Sequence, residues 1–313
     1  MTRHVRLIVG CGYVGRRTAR TWLERGDRVL AITRSGETAG DLSRLGIEPV
    51  VWNWYQPFPN ELLSDNGIHP KELRIDSLLV AVSHAAVPGL APEATHRLGL
   101  SHLAQWLAPT HPTMRWLYLS TTGVYATTFE GDWVDEDSRV GPTRPGSIAA
   151  LEGERWIEAH VPESQRVILR PAGIYGPSRI PNGAPIRDGI PMAANPDSYV
   201  NLIHVEDLVQ ILIRVTDSQP KRNLYCVSDG HSPLRRDYYS FIAETKGWPE
   251  PVFVPSQREE GDPRIDGLKR SSKPARSDGN KRISNRRLLE DLGYAFRYPS
   301  YREGLSSVAS EIL

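Results

Sequence analysis

The stretch Gly10-Cys11-Gly12-Tyr13-Val14-Gly15 constrains this chain more than any other, because of what flanks it. Val5-Arg6-Leu7-Ile8-Val9 before it has the apolar character of a buried parallel strand. Arg16 to Arg25 after it is helix-length, and Gly26 closes it in the manner of a glycine just past a helix end. Arg28-Val29-Leu30-Ala31-Ile32 then supplies a second strand and completes a βαβ unit. The three glycines of such a unit have separate tasks. Gly10 allows the tight turn, Gly12 lets backbone N–H groups approach a pyrophosphate, and Gly15 lets the helix pack close to the strand. An anion then rests on the helix N-terminus, where unpaired N–H groups and the dipole favour negative charge. Gly10, Gly12, Tyr13, Val14 and Gly15 are therefore the expected dinucleotide-binding loop; the competing reading is a glycine turn with a purely structural role.

The bulk numbers remove other classes. At 313 residues the chain is long enough for two lobes sharing an α/β core. A formal charge of +1 with 24% charged residues carries no global field for nucleic acid or membrane. No apolar run approaches the ~20 residues that a spanning helix needs. The first strand starts almost at once, which leaves no room for a signal peptide and makes a cytoplasmic location the expectation. Two cysteines, Cys11 and Cys226, are too few for a disulfide framework or a zinc cluster, so no metal is expected. Cys11 reads as a small space-filling residue of the loop.

Beyond the second strand lies Thr33-Arg34-Ser35. An NAD site would carry Asp or Glu there to hold the ribose 2′-hydroxyl. Asp27 comes too early and Glu37 too late, whereas Arg34 between two hydroxyls suits a 2′-phosphate. NADP is the expected cofactor, with NAD as the alternative, and Thr33, Arg34 and Ser35 are its expected contacts. Pro49-Val50-Val51-Trp52 suggests a third strand, followed by a polar, Pro-bearing connection from Asn53 to Pro70. Leu78-Leu79-Val80-Ala81-Val82 is a buried strand that ends at Ser83-His84, the edge where ligands bind in open α/β sheets. Ser83 is thus a cofactor contact, and His84 is either an acid/base or a loop histidine bonded locally. Residues 93 to 107 form a helix with Leu98, Leu103, Trp106 and Leu107 near one stripe.

Arg115-Trp116-Leu117-Tyr118-Leu119 is a strand running into Ser120-Thr121-Thr122-Gly123-Val124-Tyr125. This segment resembles the strand ending S-T/S-x-G-V-Y of the extended short-chain dehydrogenases/reductases, the epimerase/dehydratase group. Three further segments resemble that group in order: Leu169-Arg170-Pro171 through Tyr175-Gly176-Pro177, Ile203-His204-Val205-Glu206-Asp207, and Asn223 to Gly230. The resemblance covers essentially the whole chain. It implies a doubly wound parallel α/β sheet, a Rossmann domain of the extended type, with a small discontinuous C-terminal substrate lobe. The nucleotide-binding domain would take residues 1–176 and 198–228, the lobe 177–197 and 229–313, with the ligand crevice between them. It also places Ser120 and Pro171 among the cofactor contacts and implies a small-molecule substrate, of the sugar- or phosphate-bearing kind.

One departure limits the analogy. The family uses a Tyr-x-x-x-Lys pair on the helix after Tyr125, with the tyrosine as general acid/base. That pair should fall within Arg144 to Ala150, yet neither tyrosine nor lysine occurs between Thr127 and Arg170. An intact glycine loop without the pair resembles the atypical subgroups, and Gly279 to Asn285 with Leu292-Gly293-Tyr294 and Tyr298 to Leu305 is similar to the YeeZ-like members. The catalytic candidates left are Ser120 and Thr121, whose hydroxyls could polarise a carbonyl, and Tyr125, whose phenol without a neighbouring lysine stays near its reference pKa of about 10. Tyr125 also reads as a packing residue, and Tyr175, His84 and His204 are weaker replacements. Arg170 and Arg179 could hold an anionic substrate. The basic run Lys269 to Arg276 lacks interleaved aromatics, so it reads as solvated surface or a small-molecule phosphate contact rather than a nucleic-acid site. The expectation is an NAD(P)-dependent oxidoreductase or epimerase/dehydratase of atypical mechanism, monomer or homodimer. The alternative is a catalytically inactive dinucleotide-binding sensor or scaffold.

Overall fold

The computed structural model describes residues 4–59, 73–83, 87–254 and 279–309. The expectations for His84 and for the basic run 269–276 lie outside the described residues. The chain divides into two compact units: residues 1–124, 142–170 and 209–225 form the first, and 125–141, 171–208 and 226–313 the second.

In the first unit the order is β1 (Val5–Val9), α1 (Tyr13–Glu24), β2 (Arg28–Thr33), α2 (Gly36–Arg44), β3 (Glu48–Val51), β4 (Ser77–Val80), α3 (Pro92–Leu107) and β5 (Arg115–Leu119). After β6 (Asp132–Val134) come α4 (Pro145–His160) and β7 (Arg166–Pro171). Farther on lie β8 (Gly173–Tyr175), α5 (Gly183–Arg187), β9 (Met192–Ala193), β10 (Leu202–His204), α6 (Val205–Asp217) and β11 (Leu224–Val227). Seven strands make one sheet in the order β11-β7-β5-β4-β1-β2-β3. The pairings of β1 with β2 and β4, of β2 with β3, and of β5 with β4 and β7 are parallel. This is the doubly wound arrangement, and the strand order reverses between β1 and β4. Strands buried on both faces explain the unbroken apolar runs: β4 is buried at all four positions and β1 from Arg6 to Val9.

Two helices differ in detail from the sequence expectation. α1 starts at Tyr13 rather than Arg16, because the glycine turn feeds directly into its first turn; Gly26, at φ +86°, ends it as expected. In α3 the buried face is Thr95, His96, Gly99, Leu100, His102, Leu103 and Leu107, with Leu98 and Trp106 only partly covered. Two histidines on a core face escape a hydropathy pattern because each finds a tertiary partner for its Nδ1. His96 Nδ1 lies 2.6 Å from the Tyr118 hydroxyl, and His102 Nδ1 lies 3.0 Å from the Trp54 carbonyl oxygen. Gly99 gives way to the Trp54 ring, where a Cβ would meet ring atoms at 2.4 Å.

At the edge of the sheet where its strands begin, Arg6 is 5% exposed and donates to Asp27 at 3.0 Å, Ser77 at 3.1 Å and Asp217 at 3.0 Å. Asp27 therefore belongs to a buried ion pair remote from the glycine turn.

The second unit contains α7 (Arg235–Lys246), β12 (Phe253–Val254), β13 (Lys281–Ile283), α8 (Arg286–Leu292) and α9 (Tyr301–Ala309) as well. Its strands pair two by two, β10 with β8, β12 with β9 and β13 with β6. Tyr175, Ile186, Met192, Leu202, Tyr238, Ile242 and Tyr301 are among the residues of its core. Asp207 binds the C-terminal segment: it accepts from the Tyr294 hydroxyl at 2.7 Å and from the backbone N–H groups of Arg297 at 2.8 Å and Tyr298 at 3.0 Å.

Candidate functional site

The glycine turn lies at the switch point of the sheet. Gly10 has φ +88°, and a Cβ on it would stand 2.6 Å from the Ala81 carbonyl oxygen and 2.7 Å from Val82 Cα, just past β4. Both the dihedral and the close approach demand glycine there. A Cβ on Gly15 would be 2.7 Å from the Gly10 carbonyl oxygen, so the helix seats directly on the turn. Gly12 differs, because nothing lies within 4 Å of where its Cβ would be. Its missing side chain opens the backbone to the outside. Gly12 is also the N-cap of α1; no side chain caps this helix, and no acidic residue stands in its first turn. Tyr13 is half-buried with the Arg17 guanidinium 4.1 Å from its ring centre, and Val14 is buried. An open backbone turn on an uncapped helix N-terminus fits a pyrophosphate. Burial pushes the Cys11 thiol up to about 11, which suits an inert space-filling role.

Past β2, Thr33 is half-buried while Arg34 and Ser35 are exposed. Ser35 is the N-cap of α2; its Oγ accepts from the Thr38 N–H at 3.2 Å, so this hydroxyl already has a local task. Ser83, past β4, is exposed.

At the end of β5 the hydroxyls part company. Ser120 is 2% exposed and donates to the Glu154 carboxylate of α4. The same carboxylate accepts from Arg170, at 3.0 Å from Nε and 2.6 Å from Nη2, with Glu154 at 1% exposure and Arg170 at 4%. Arg170 is thus held inside the fold and does not present its guanidinium to a substrate. Thr121 is half-buried, and its Oγ1 accepts from the Gly123 N–H at 3.1 Å.

The other candidates belong to the second unit. Pro171 is buried. Tyr125 is 3% exposed, its hydroxyl lies 2.8 Å from Cys226 Sγ, and Lys281 Nζ stands 5.6 Å from its ring centre. Tyr125 therefore does have a lysine beside it, supplied by β13 from 156 positions along the chain, a distance at which no local pattern signals it. Tyr175 is fully buried, donates to the Ser300 carbonyl oxygen at 3.1 Å, and is pushed well up by that burial, so it is a core residue rather than an acid/base. His204 is 1% exposed against the rings of Tyr175 and Tyr298, and its Nδ1 accepts from the Glu206 N–H at 3.3 Å, at the entry of α6. Arg179 is exposed and donates to the Ile174 carbonyl oxygen at 3.0 Å. Among the described residues no group of three or more His, Cys, Asp or Glu could hold a metal, and no helix is long and apolar enough to cross a membrane.

A seven-stranded doubly wound sheet with a glycine turn at its switch point defines the class, an α/β protein of the nucleotide-binding type. The sequence model of the NAD dependent epimerase/dehydratase family matches residues 7–227. The chain belongs to that family. No curated protein matches its sequence. Among solved structures, a functionally unknown conserved protein from Silicibacter pomeroyi is 26% identical over 98% of this chain and 99% of its own, with a TM-score of 0.73. The UDP-glucose 4-epimerase of Thermotoga maritima, solved with UDP-glucose, is 17% identical over 98% and 97%, with a TM-score of 0.74. WbmH of Bordetella bronchiseptica, solved with NAD+, is 20% identical over 99% and 98%, at 0.72. The last two likenesses are of fold alone.

Proposed function

We propose that this chain binds a nicotinamide dinucleotide, NADP in preference to NAD, and works in the cytoplasm as an oxidoreductase or epimerase/dehydratase of atypical mechanism on a small molecule. The observation that carries the reading is the open, uncapped turn at Gly12, braced by Gly10 against Ala81 and Val82 at the switch point. The residues that would hold the cofactor are Gly10, Gly12, Tyr13, Val14 and Gly15 at the pyrophosphate, Thr33, Arg34 and Ser35 at the ribose phosphate, and Ser83, Ser120 and Pro171 beyond. Arg34 supports the NADP preference, being exposed with no hydrogen bond or ion pair to the described residues, so its fork is available to a dianion. When bound, such a cofactor supplies hydride transfer; the protein's part is to position and polarise. For that part Thr121 is better suited than Ser120, whose proton is donated to Glu154.

A second reading has its own support. With Ser120 engaged, Tyr125 buried on Cys226 and no Tyr-x-x-x-Lys pair, the chain could bind the nucleotide without turnover, as a sensor or scaffold. Titration with NADPH and with NADH, followed by nicotinamide fluorescence, tests the cofactor reading. NADPH is expected to bind at least ~10-fold more tightly, and Arg34→Ala to remove most of that margin, the loss of about 1.5–3 kcal/mol for a charged hydrogen-bond partner. Equal affinity for both would retire the role of Arg34, and failure of both to bind would remove the cofactor. Turnover of any substrate by the NADPH-loaded protein would exclude the sensor.

A further inference from the structure

The run Gly279 to Asn285 stands apart from the nucleotide turn, and most of it is occupied in tying the second unit together. Asn280 Oδ1 accepts from the Tyr199 N–H at 2.9 Å, and the Lys281 carbonyl oxygen accepts from the Asn201 side chain at 2.8 Å. Arg282 differs. β13 runs parallel to β6 with Arg282 beside Trp133, so the two side chains share a face of this two-stranded sheet. Val134 and Ile283, on the alternate face, are buried, whereas Trp133 is 56% exposed. The Arg282 guanidinium carbon stands 4.8 Å from the centre of the Trp133 ring and 5.0 Å from that of Tyr199. Its Nε donates to the Gly131 carbonyl oxygen at 2.8 Å. Gly131, at φ +78°, leaves the room this needs, since a Cβ there would stand 2.7 Å from the Tyr199 ring. Two rings and one hydrogen bond therefore fix the guanidinium plane. Nη1 and Nη2 make no hydrogen bond with the described residues, and Arg282 forms no ion pair with them, although Glu130 and Asp132 flank Gly131.

A guanidinium already held against ring faces gives up little further freedom when it binds a ligand. The two Nη groups offer parallel N–H donors, the fork that fits two oxygens of a carboxylate or phosphate. The surface beside it is aromatic as well. Phe129, two positions before Gly131, is 70% exposed, and with Trp133 it is one of the two most exposed large apolar side chains among the described residues. A clip between β6 and β13 would account for the Nε bond, but it would leave both the fork and the outward rings without a use. We propose that Arg282 and Trp133 form a binding site for an oxyanion carried on a flat ring, an aryl phosphate or aryl carboxylate. Arg282 takes the oxyanion and Trp133 the ring. All of these residues belong to the second unit, so the site stands independently of the nucleotide turn.

The test titrates the full-length protein by calorimetry with phenyl phosphate and benzoate, and with inorganic phosphate as the probe that lacks a ring. One ring probe is expected to bind in the millimolar range or tighter, at least ~5-fold more tightly than inorganic phosphate, and the tighter of the two identifies the anion. Arg282→Gln is expected to weaken it at least ~10-fold, and Arg282→Lys, which keeps the charge but not the fork, at least ~5-fold. Trp133 is exposed, so Trp133→Ala keeps the fold even if the Arg282 variants do not, and it should weaken the ring probe at least ~5-fold. A phosphate held at the glycine turn or by Arg34 would still bind to Arg282→Gln. NADPH affinity is expected to stay within about 2-fold of the parent in all three variants, which keeps failure of this site distinct from failure of the cofactor reading. Absence of binding by both ring probes, equal binding by the parent and the variants, or equal affinity for phenyl phosphate and inorganic phosphate would overturn the proposal.

Discussion

Glu154→Ala is expected to lower the stability of the protein by about 3–5 kcal/mol, because it strands a charge inside the fold. Arg170 is 4% exposed and directs Nε and Nη2 at this one carboxylate, which also accepts the Ser120 hydroxyl. Removing the carboxylate leaves a guanidinium in a place water scarcely reaches, and the desolvation cost of that ion is then uncompensated. Replacing both members with apolar residues removes the charge with its partner. Glu154→Leu combined with Arg170→Leu is accordingly expected to recover most of the loss. Thermal melting checks both, with a fall of roughly 6–10 °C for the single change. A single variant within about 1 kcal/mol of the parent would show that the pair is not an isolated one. The result bears on function too, since the same carboxylate takes the proton of Ser120.

Stability should also fall as pH rises from about 4 to about 8, through Asp229. Burial pushes this carboxyl up to about 8, and the charges of Asp207 and Glu303 push the same way, while the His231 backbone N–H, donating to Oδ1 at 2.9 Å, works against them. The folded state then holds a proton that the unfolded chain, with its carboxyl near ~3.9, gives up. Its stabilisation is complete below pH ~4, declines by up to ~1.4 kcal/mol per pH unit in between, and is gone above pH 8. The full span is on the order of 4–6 kcal/mol. Asp229→Asn keeps an acceptor for the His231 N–H but carries no charge. Its advantage over the parent in denaturant unfolding is expected to be small at pH 5 and several kcal/mol at pH 8.5. A difference between the two that does not change with pH would contradict this, since other titrating groups cancel in the comparison.

The fold was legible from the sequence to the extent that its causes are local. The turn at Gly10 needs a left-handed residue, β1 and β4 need continuous apolar runs, and Gly26 ends a helix by its own φ. Boundaries and faces were less legible. Nothing in Arg16 to Arg25 says that the helix starts at Tyr13, and the pattern that highlighted Leu98 passed over His96 and His102, which the core accepts because Tyr118 and the Trp54 carbonyl pair with them. The candidate site divides along the same line. The glycine loop was recognisable because one short segment contains the whole device. Residue partnerships were not, since each joins distant segments: Ser120 and Arg170 with Glu154, Tyr125 with Cys226 and Lys281.

What the sequence alone determined is therefore the class of fold, the place of the nucleotide turn and the absence of the Tyr-x-x-x-Lys pair, all properties of contiguous residues. The tertiary structure alone decided which hydroxyls are taken: that of Ser120 by Glu154 and that of Tyr125 by Cys226. A side chain's hydrogen-bond partner is chosen by packing across the sheet and helices, at separations where sequence periodicity carries no information.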